Sequence, residues 1–142
     1  MFPADSKILI VDDSSFSRNI VKNGLKELKY WKLYEAENAI NAQIALAQEV
    51  KAGDPIQLMI ADIHMPDMTG IELLRWARAR DIFKTLPVII ITSSQEKSEV
   101  VEAAKLGVSH FLIKPFDAQT LKDRLFAAWE KHGQFYSKKI AV

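Results

Sequence analysis

Five residues capable of chemistry stand just beyond short apolar runs. Ile8–Val11 leads into Asp12 and Asp13, and Leu58–Ala61 leads into Asp62. Val88–Ile91 leads into Thr92 and two serines, and Phe111–Ile113 leads into Lys114 and Pro115. Gathered in one crevice, three carboxylates repel and cannot all ionise cheaply without a compensating cation. The chain has no cysteine and only 3 histidines, which form no cluster in the sequence, so a soft metal is not suggested. Oxygen-only ligation with open positions suits Mg²⁺, which keeps waters and takes one or two carboxylates plus a phosphate oxygen. A lysine ammonium can hold another phosphate oxygen as a point charge, and a threonine hydroxyl a third. The set reads as a phosphoryl-transfer site with a carboxylate as nucleophile.

Positioning these groups requires a particular scaffold. The four runs above and Leu33–Ala36 are spaced as five strands. Four of the five are continuously apolar, as strands buried on both faces of a parallel sheet should be. Segments with helical spacing lie between them: Ser15–Tyr30, Ala39–Lys51, Ile71–Arg80, Glu96–Leu106 and Ala118–Lys131. Their apolar stripes (Phe16, Ile20, Val21, Leu25 and Leu28 in the first; Ile40, Ile44 and Leu46 in the second; Val100 and Val101 in the fourth) are expected to face the sheet. Thr69 with Glu72, and Ser93 with Glu96, have capping-box spacing, and Asp117 is a plausible N-cap. Gly53, Gly107 and Gly133 mark expected helix ends, and Pro55 and Pro87 mark breaks before strands three and four. The fold class is therefore α/β, a (βα)5 doubly wound parallel sheet with right-handed crossovers covering both faces. In such sheets ligands bind beyond the carboxyl ends of the strands, where four of the five strands deliver polar groups. Gln134–Val142 reads as either a helix extension or a frayed tail.

Each residue also has a plainer reading. Asp12 and Asp13 could cap a helix starting near Ser14, and Asp62 could be a turn residue before Met65-Pro66-Asp67. Thr92 could end a strand, and Lys114 could be a solvated strand end, although Lys-Pro marks a fixed turn, of the kind open to a cis bond. His64 reads as a loop histidine, His110 and His132 as surface residues. Trp31, Trp76 and Trp129 read as core or helix-face residues.

The 142 residues carry 19 Lys+Arg against 18 Asp+Glu, a formal net charge of +1. That balance points to neither a nucleic-acid nor a membrane partner. The chain has no apolar run near the roughly 20 residues that span a bilayer, and its first residues do not resemble a signal peptide. The expectation is a soluble, cytoplasmic protein of one domain, with a core of about 7–131 and a C-terminal extension of about 132–142.

At this point the motifs carry a resemblance. Val11-Asp12-Asp13-Ser14-Ser15, Asp62-Ile63-His64-Met65-Pro66-Asp67-Met68-Thr69-Gly70, Thr92-Ser93 and Lys114-Pro115-Phe116, in that order at strand ends, resemble the receiver domain of two-component response regulators, most closely the stand-alone CheY-like proteins. The resemblance implies a flavodoxin-like strand order of 2-1-3-4-5. It implies that Asp62 accepts a phosphoryl group from a sensor histidine kinase or phosphotransfer protein. It implies Mg²⁺ on Asp13 and Asp62 directly, on Asp12 through water, and on the backbone carbonyl of His64. Lys114 would bind the phosphoryl group, Thr92 would turn its hydroxyl towards it, and Phe111 would move inward. The altered face, for a downstream target, would be the fourth helix, fifth strand and fifth helix, roughly 96–106, 111–113 and 117–130. His64 and Ser94 occupy the positions that tune water attack in the family, and Phe111 lacks the hydroxyl many relatives carry there.

Two other functions fit parts of the pattern. A Mg²⁺-dependent phosphatase with an aspartyl nucleophile usually has an acid/base aspartate two residues after the nucleophile, where this chain has His64. A flavodoxin-like cofactor carrier needs a Ser/Thr/Gly-rich loop after the first strand, where this chain has Asp12 and Asp13. The reading is thus a signalling switch rather than an enzyme, limited to self-phosphotransfer and autodephosphorylation.

Overall fold

A computed structural model describes residues 1–93 and 96–140; Ser94 lies outside them. Five strands, β1 (Ile8–Val11), β2 (Leu33–Ala36), β3 (Leu58–Asp62), β4 (Val88–Thr92) and β5 (His110–Ile113), form one sheet in the order β2-β1-β3-β4-β5. Every pairing is parallel. β1, β4 and all of β3 but Asp62 are fully buried, which is why their sequences do not alternate. β2 and β5, at the two edges, are the exceptions: Tyr34 and Glu35 are exposed, and of β5 only Leu112 is fully buried.

The helices are α1 (Ser15–Glu27), α2 (Ala39–Lys51), α3 (Gly70–Arg78), α4 (Lys97–Lys105), α5 (Ala118–Ala128) and α6 (Gln134–Ile140). Two apolar cores flank the sheet. Val21 and Leu25 of α1 join Leu121, Leu125 and Ala128 of α5 on one face. Residues of α2, α3 and α4, among them Leu46, Leu74 and Ala103, pack on the other.

Helix starts follow the side chains that satisfy their unpaired N–H groups. Ser14, Asn38 and Asp117 accept from the backbone N–H three residues on, at 3.2, 2.7 and 2.8 Å. Thr69 and Glu72 form the expected reciprocal capping box. Gly53 and Gly107 follow helix ends with φ of +84° and +80°, the left-handed backbone glycine permits.

Several expectations need correction. Ser93 and Glu96 do not form a capping box: Glu96 itself is the N-cap, in extended conformation, without a side-chain cap bond. Phe16, Ile20, Ile40, Ile44 and Val101 are exposed, so only part of each helical stripe meets the sheet. In α1 the buried seam is Val21 and Leu25, while Phe16 belongs to the first turn, beyond the strand ends. Trp31 is exposed too, under the Lys32 ammonium 5.1 Å from its ring centroid.

Gly133 does not stop a helix. α5 passes into a π-helical turn, Trp129–Gly133, and on into α6, so the C-terminal segment is a helix extension as far as Ile140. Glycine is required there by close approach: a Cβ would sit 2.6 Å from the Trp129 ring and 3.1 Å from the Phe2 ring. No helix among the described residues is long and apolar enough to cross a membrane.

One packing detail fixes the end of β3. The Gly70 N–H donates to the Ile63 carbonyl at 2.9 Å. A Cβ on Gly70 would lie 2.1 Å from the Asp62 carbonyl oxygen, a backbone atom that cannot swing aside. Gly70→Ala must therefore push the β3 end away from α3. Forced overpacking of this kind costs about 1–3 kcal/mol or more. Urea denaturation should show that loss, and an unchanged midpoint would mean the two segments are not held in register.

Candidate functional site

The carboxyl edge of the sheet gathers the predicted polar residues. Asp12 and Asp13 follow β1, Asp62 and Thr92 are the last residues of β3 and β4, and Lys114 follows β5. One carboxylate oxygen from each of Asp12, Asp13 and Asp62 lies within 4.8 Å of the others. The Lys114 ammonium is 3.2 Å from Asp12 Oδ2 and 3.9 Å from Asp62 Oδ2. Residues 102 positions apart thus meet in one ion pair.

Each acid is held differently. Asp12 is buried; its Oδ1 accepts from the Ser14 N–H at 2.9 Å and its Oδ2 faces Lys114. Asp13 is exposed. Asp62 is half-buried, and its Oδ1 accepts from the Ile63 N–H at 2.9 Å, which leaves Oδ2 facing the lysine. Burial raises the Asp62 carboxyl above its ordinary value. Lys114 opposes that, the Asp12 charge adds to it, and the Ile63 N–H and His64 oppose it; the net direction is upward. Three oxygen donors, graded from buried to exposed and short of positive charge, can hold a hard divalent cation.

Lys114 and Thr92 are coupled through the backbone. The Lys114 N–H donates to the Thr92 carbonyl at 2.8 Å, and Thr92 is buried. The Lys114–Pro115 bond is cis, the turn the sequence left open. Phe111 is half-buried two residues before Ile113, the partner of Thr92, and so shares Thr92's face of the sheet. It packs on the core that includes Ile90. His64 lies on the loop between β3 and α3. Its side chain is exposed, with Nε2 3.7 Å from Glu99 Oε2 in α4. Beside Lys114 opens a cleft of about 340 Å³ lined by Ile20, Val21, Pro115 and Phe116, with Ser17 and Ser93.

Arg18 supports the site but was not singled out from the sequence. Its Nη1 donates to the Asp12 carbonyl at 2.6 Å, while its Nε is 3.0 Å from Glu35 on β2. The signal was present: with Ser14 as N-cap, Arg18 lies one turn into α1, above the end of β1. His132 was expected at the surface; it is half-buried far from these carboxylates, with Nδ1 2.7 Å from Ser109 Oγ.

The raised Asp62 carboxyl makes a stability prediction. The folded state holds this proton more tightly than the unfolded chain, so stability falls as pH rises from about 3.8 through the folded value. At neutral pH in chelator, Asp62→Asn removes a repelled charge and should raise the thermal midpoint. The gain should shrink in acid, where the parent is protonated, and shrink when Mg²⁺ is added. A variant less stable than the parent at pH 7 in chelator would overturn this account of the carboxylates.

Comparison with known proteins agrees with this arrangement. Residues 8–126 match the response regulator receiver domain family. The chain is 40% identical over 119 residues to the chemotaxis protein CheY1 of Helicobacter pylori, covering 84% of this chain and 93% of that protein. It is 42% identical over 125 residues to the chemotaxis protein CheY-3 of Vibrio cholerae, covering 88% and 92%. Among solved structures, the V. cholerae chemotaxis protein CheY4 superposes with a TM-score of 0.75 at 30% identity, covering 87% of this chain and 98% of that one. A carboxylate-lined edge on a 2-1-3-4-5 sheet and this likeness lead to one family: the chain belongs to the response regulator receiver domains and is a CheY-like switch of two-component signalling.

Proposed function

We propose that Asp62 is the phosphoryl acceptor of this switch. The observation that carries the reading is the convergence of Asp12, Asp13, Asp62 and Lys114 from three separate strand ends. Asp62 Oδ2 is the attacking oxygen, since Oδ1 is engaged by the Ile63 N–H. It bonds to phosphorus as the bond from phosphorus to the donor's imidazole nitrogen breaks, and the donor histidine leaves. Lys114 stands where it can meet the incoming phosphoryl oxygens, stabilising charge where it develops.

Mg²⁺ suits the oxygen-only donor set; Asp13, Asp62 and the His64 carbonyl would hold it, with Asp12 contributing beside them. When bound it supplies charge neutralisation for phosphoryl transfer. The chain's own part is to hold the carboxylates close, keep Asp12 fixed through Ser14 and Arg18, and shield the centre from bulk water on its buried side.

The donor is a sensor histidine kinase or a phosphotransfer protein in the cytoplasm, and the apolar cleft beside Lys114 gives it a surface next to the acceptor. Phosphorylation draws the Thr92 hydroxyl towards the phosphoryl group and Phe111 inward, altering the α4–β5–α5 face for a downstream protein. A hydrogen bond gained only in the phosphorylated state biases that equilibrium by roughly 0.5–1.5 kcal/mol, or about 1.5–3 when charge-assisted as to a phosphoryl oxygen. The described unit is one receiver domain extended at its C-terminus.

Incubation with acetyl phosphate and Mg²⁺ followed by intact mass spectrometry should show a single phosphoryl adduct on the parent and none on Asp62→Asn. An equal adduct on the variant would remove Asp62 from the role, and repeated turnover of varied phosphate esters would instead mark a phosphatase.

Asp13→Ala removes a direct ligand and should abolish Mg²⁺ binding measured by calorimetry. Parent-like affinity in that variant would take Asp13 out of the metal site.

A further inference from the structure

The segment from Trp129 to Ile140 lies beyond the residues that match the receiver family, yet it is tightly built into the fold. It leaves the core shared with α1 and α5, where Trp129 meets Phe2 edge-on at 5.2 Å. It ends in the opposite core, where Tyr136 is fully buried among residues that include Phe83, Leu86, Val88, Ala103 and Val108. It therefore wraps the sheet near the amino ends of β4 and β5, opposite the carboxylates.

Lys139 donates to the Asp81 carbonyl, and the other polar contacts the segment makes outside itself fall on the four-residue connection of α4 to β5, 106–109. Lys131 Nζ donates to the Val108 carbonyl at 2.7 Å. The Ser109 hydroxyl meets His132 Nδ1 at 2.7 Å, while Ser109 Oγ also accepts from the Val88 N–H at 2.9 Å. From the other side, Arg78 Nε and Nη2 donate to the Gly107 carbonyl at 3.1 and 3.0 Å. Burial, with the Arg78 and Lys131 charges nearby, lowers His132 to about 4. The imidazole is thus neutral at neutral pH, and its Nδ1 shares a hydrogen bond with the Ser109 hydroxyl.

Gly107, Val108 and Ser109 are the pivot between α4 and β5. A shift of β5 relative to α4 has to bend or carry this connection. Ser109 cannot move with β5 without leaving His132 or dragging the extension out of both cores. We propose that residues 129–140 are an intramolecular clamp on the α4–β5 connection, holding the signalling face in its resting arrangement so that phosphorylation at the far edge must work against it. The inference rests on the reading of Asp62 as acceptor and of α4–β5–α5 as the responding face.

A ligand that selects the active arrangement binds more weakly by the fraction of molecules already in it. Loosening the clamp should raise that fraction. The test uses the full chain and beryllofluoride with Mg²⁺ as the probe, comparing the parent with His132→Ala, Lys131→Ala and the double variant. Amide exchange at Val108 and Ser109 should accelerate in the variants, and beryllofluoride affinity should rise roughly three- to tenfold, most in the double variant. His132→Gln, which keeps a neutral hydrogen-bonding group for Ser109, should return both readouts towards the parent. If His132→Ala does not fold, Lys131→Ala, which removes one exposed side chain, carries the test.

Unaltered exchange would show that these contacts do not hold the connection. Accelerated exchange with equal or weaker affinity would show that the clamp does not oppose switching. Either result overturns the proposal. A parent that takes no beryllofluoride at all fails earlier, at the acceptor assignment.

Discussion

Mutual repulsion among Asp12, Asp13 and Asp62 is the constraint on which the rest of the structure turns. Three carboxylate oxygens within 4.8 Å of one another need positive charge that Lys114 alone does not fully provide. The fold sustains this by making everything beneath it apolar and rigid. β1, β3 and β4 are buried on both faces, so the strand ends cannot splay to relieve the repulsion. Arg18 and the Ser14 N–H fasten Asp12 from the α1 side, and Gly70 brings α3 against the Asp62 backbone. The resting site is thus held ready for a cation and a phosphoryl group by a scaffold that bears the cost elsewhere.

The two cores divide the work. The α1–α5 core supports the face that presents the cleft beside Lys114, while the α2–α3–α4 core receives Phe111 and lies beneath Thr92's side of the sheet. A change at the Thr92 end of β4 therefore has a packed path to α4, through Ile90 and Phe111. Coupling of this kind needs two discrete arrangements of packed groups rather than gradual deformation.

Much of this was legible in the sequence. Continuous apolar runs ending in charge, as at Val11-Asp12 or Ile113-Lys114, give both the buried strand and the edge where chemistry collects. Thr69 with Glu72 and Asp117 mark helix starts because a side-chain oxygen there satisfies free N–H groups. What was illegible depends on partners distant in the chain. Gly133 carries the same signal as a stop residue, and only the approach of Phe2 and Trp129 shows that it continues a helix. The π-helical turn breaks the 3.6-residue period on which helix reading depends. Phe16 and Ile20 have a core stripe's spacing, yet whether a helical arc meets the sheet or solvent is decided by tertiary packing. His132 gave no sign of its bond to Ser109, because nothing local selects that neighbour.

The strands separate the two ends of the molecule. The carboxylates lie beyond their carboxyl ends, and the extension holds their amino ends, four to five residues away. At about 3.3 Å per residue that is roughly 15 Å, beyond the reach of a side-chain contact. Substitutions in the extension can thus drift without touching the groups that handle the phosphoryl, and the acidic edge can stay fixed while the tail diversifies. A lineage of such chains could hold its chemistry constant and still spread in sensitivity, with the threshold of each copy written in its last turns of helix.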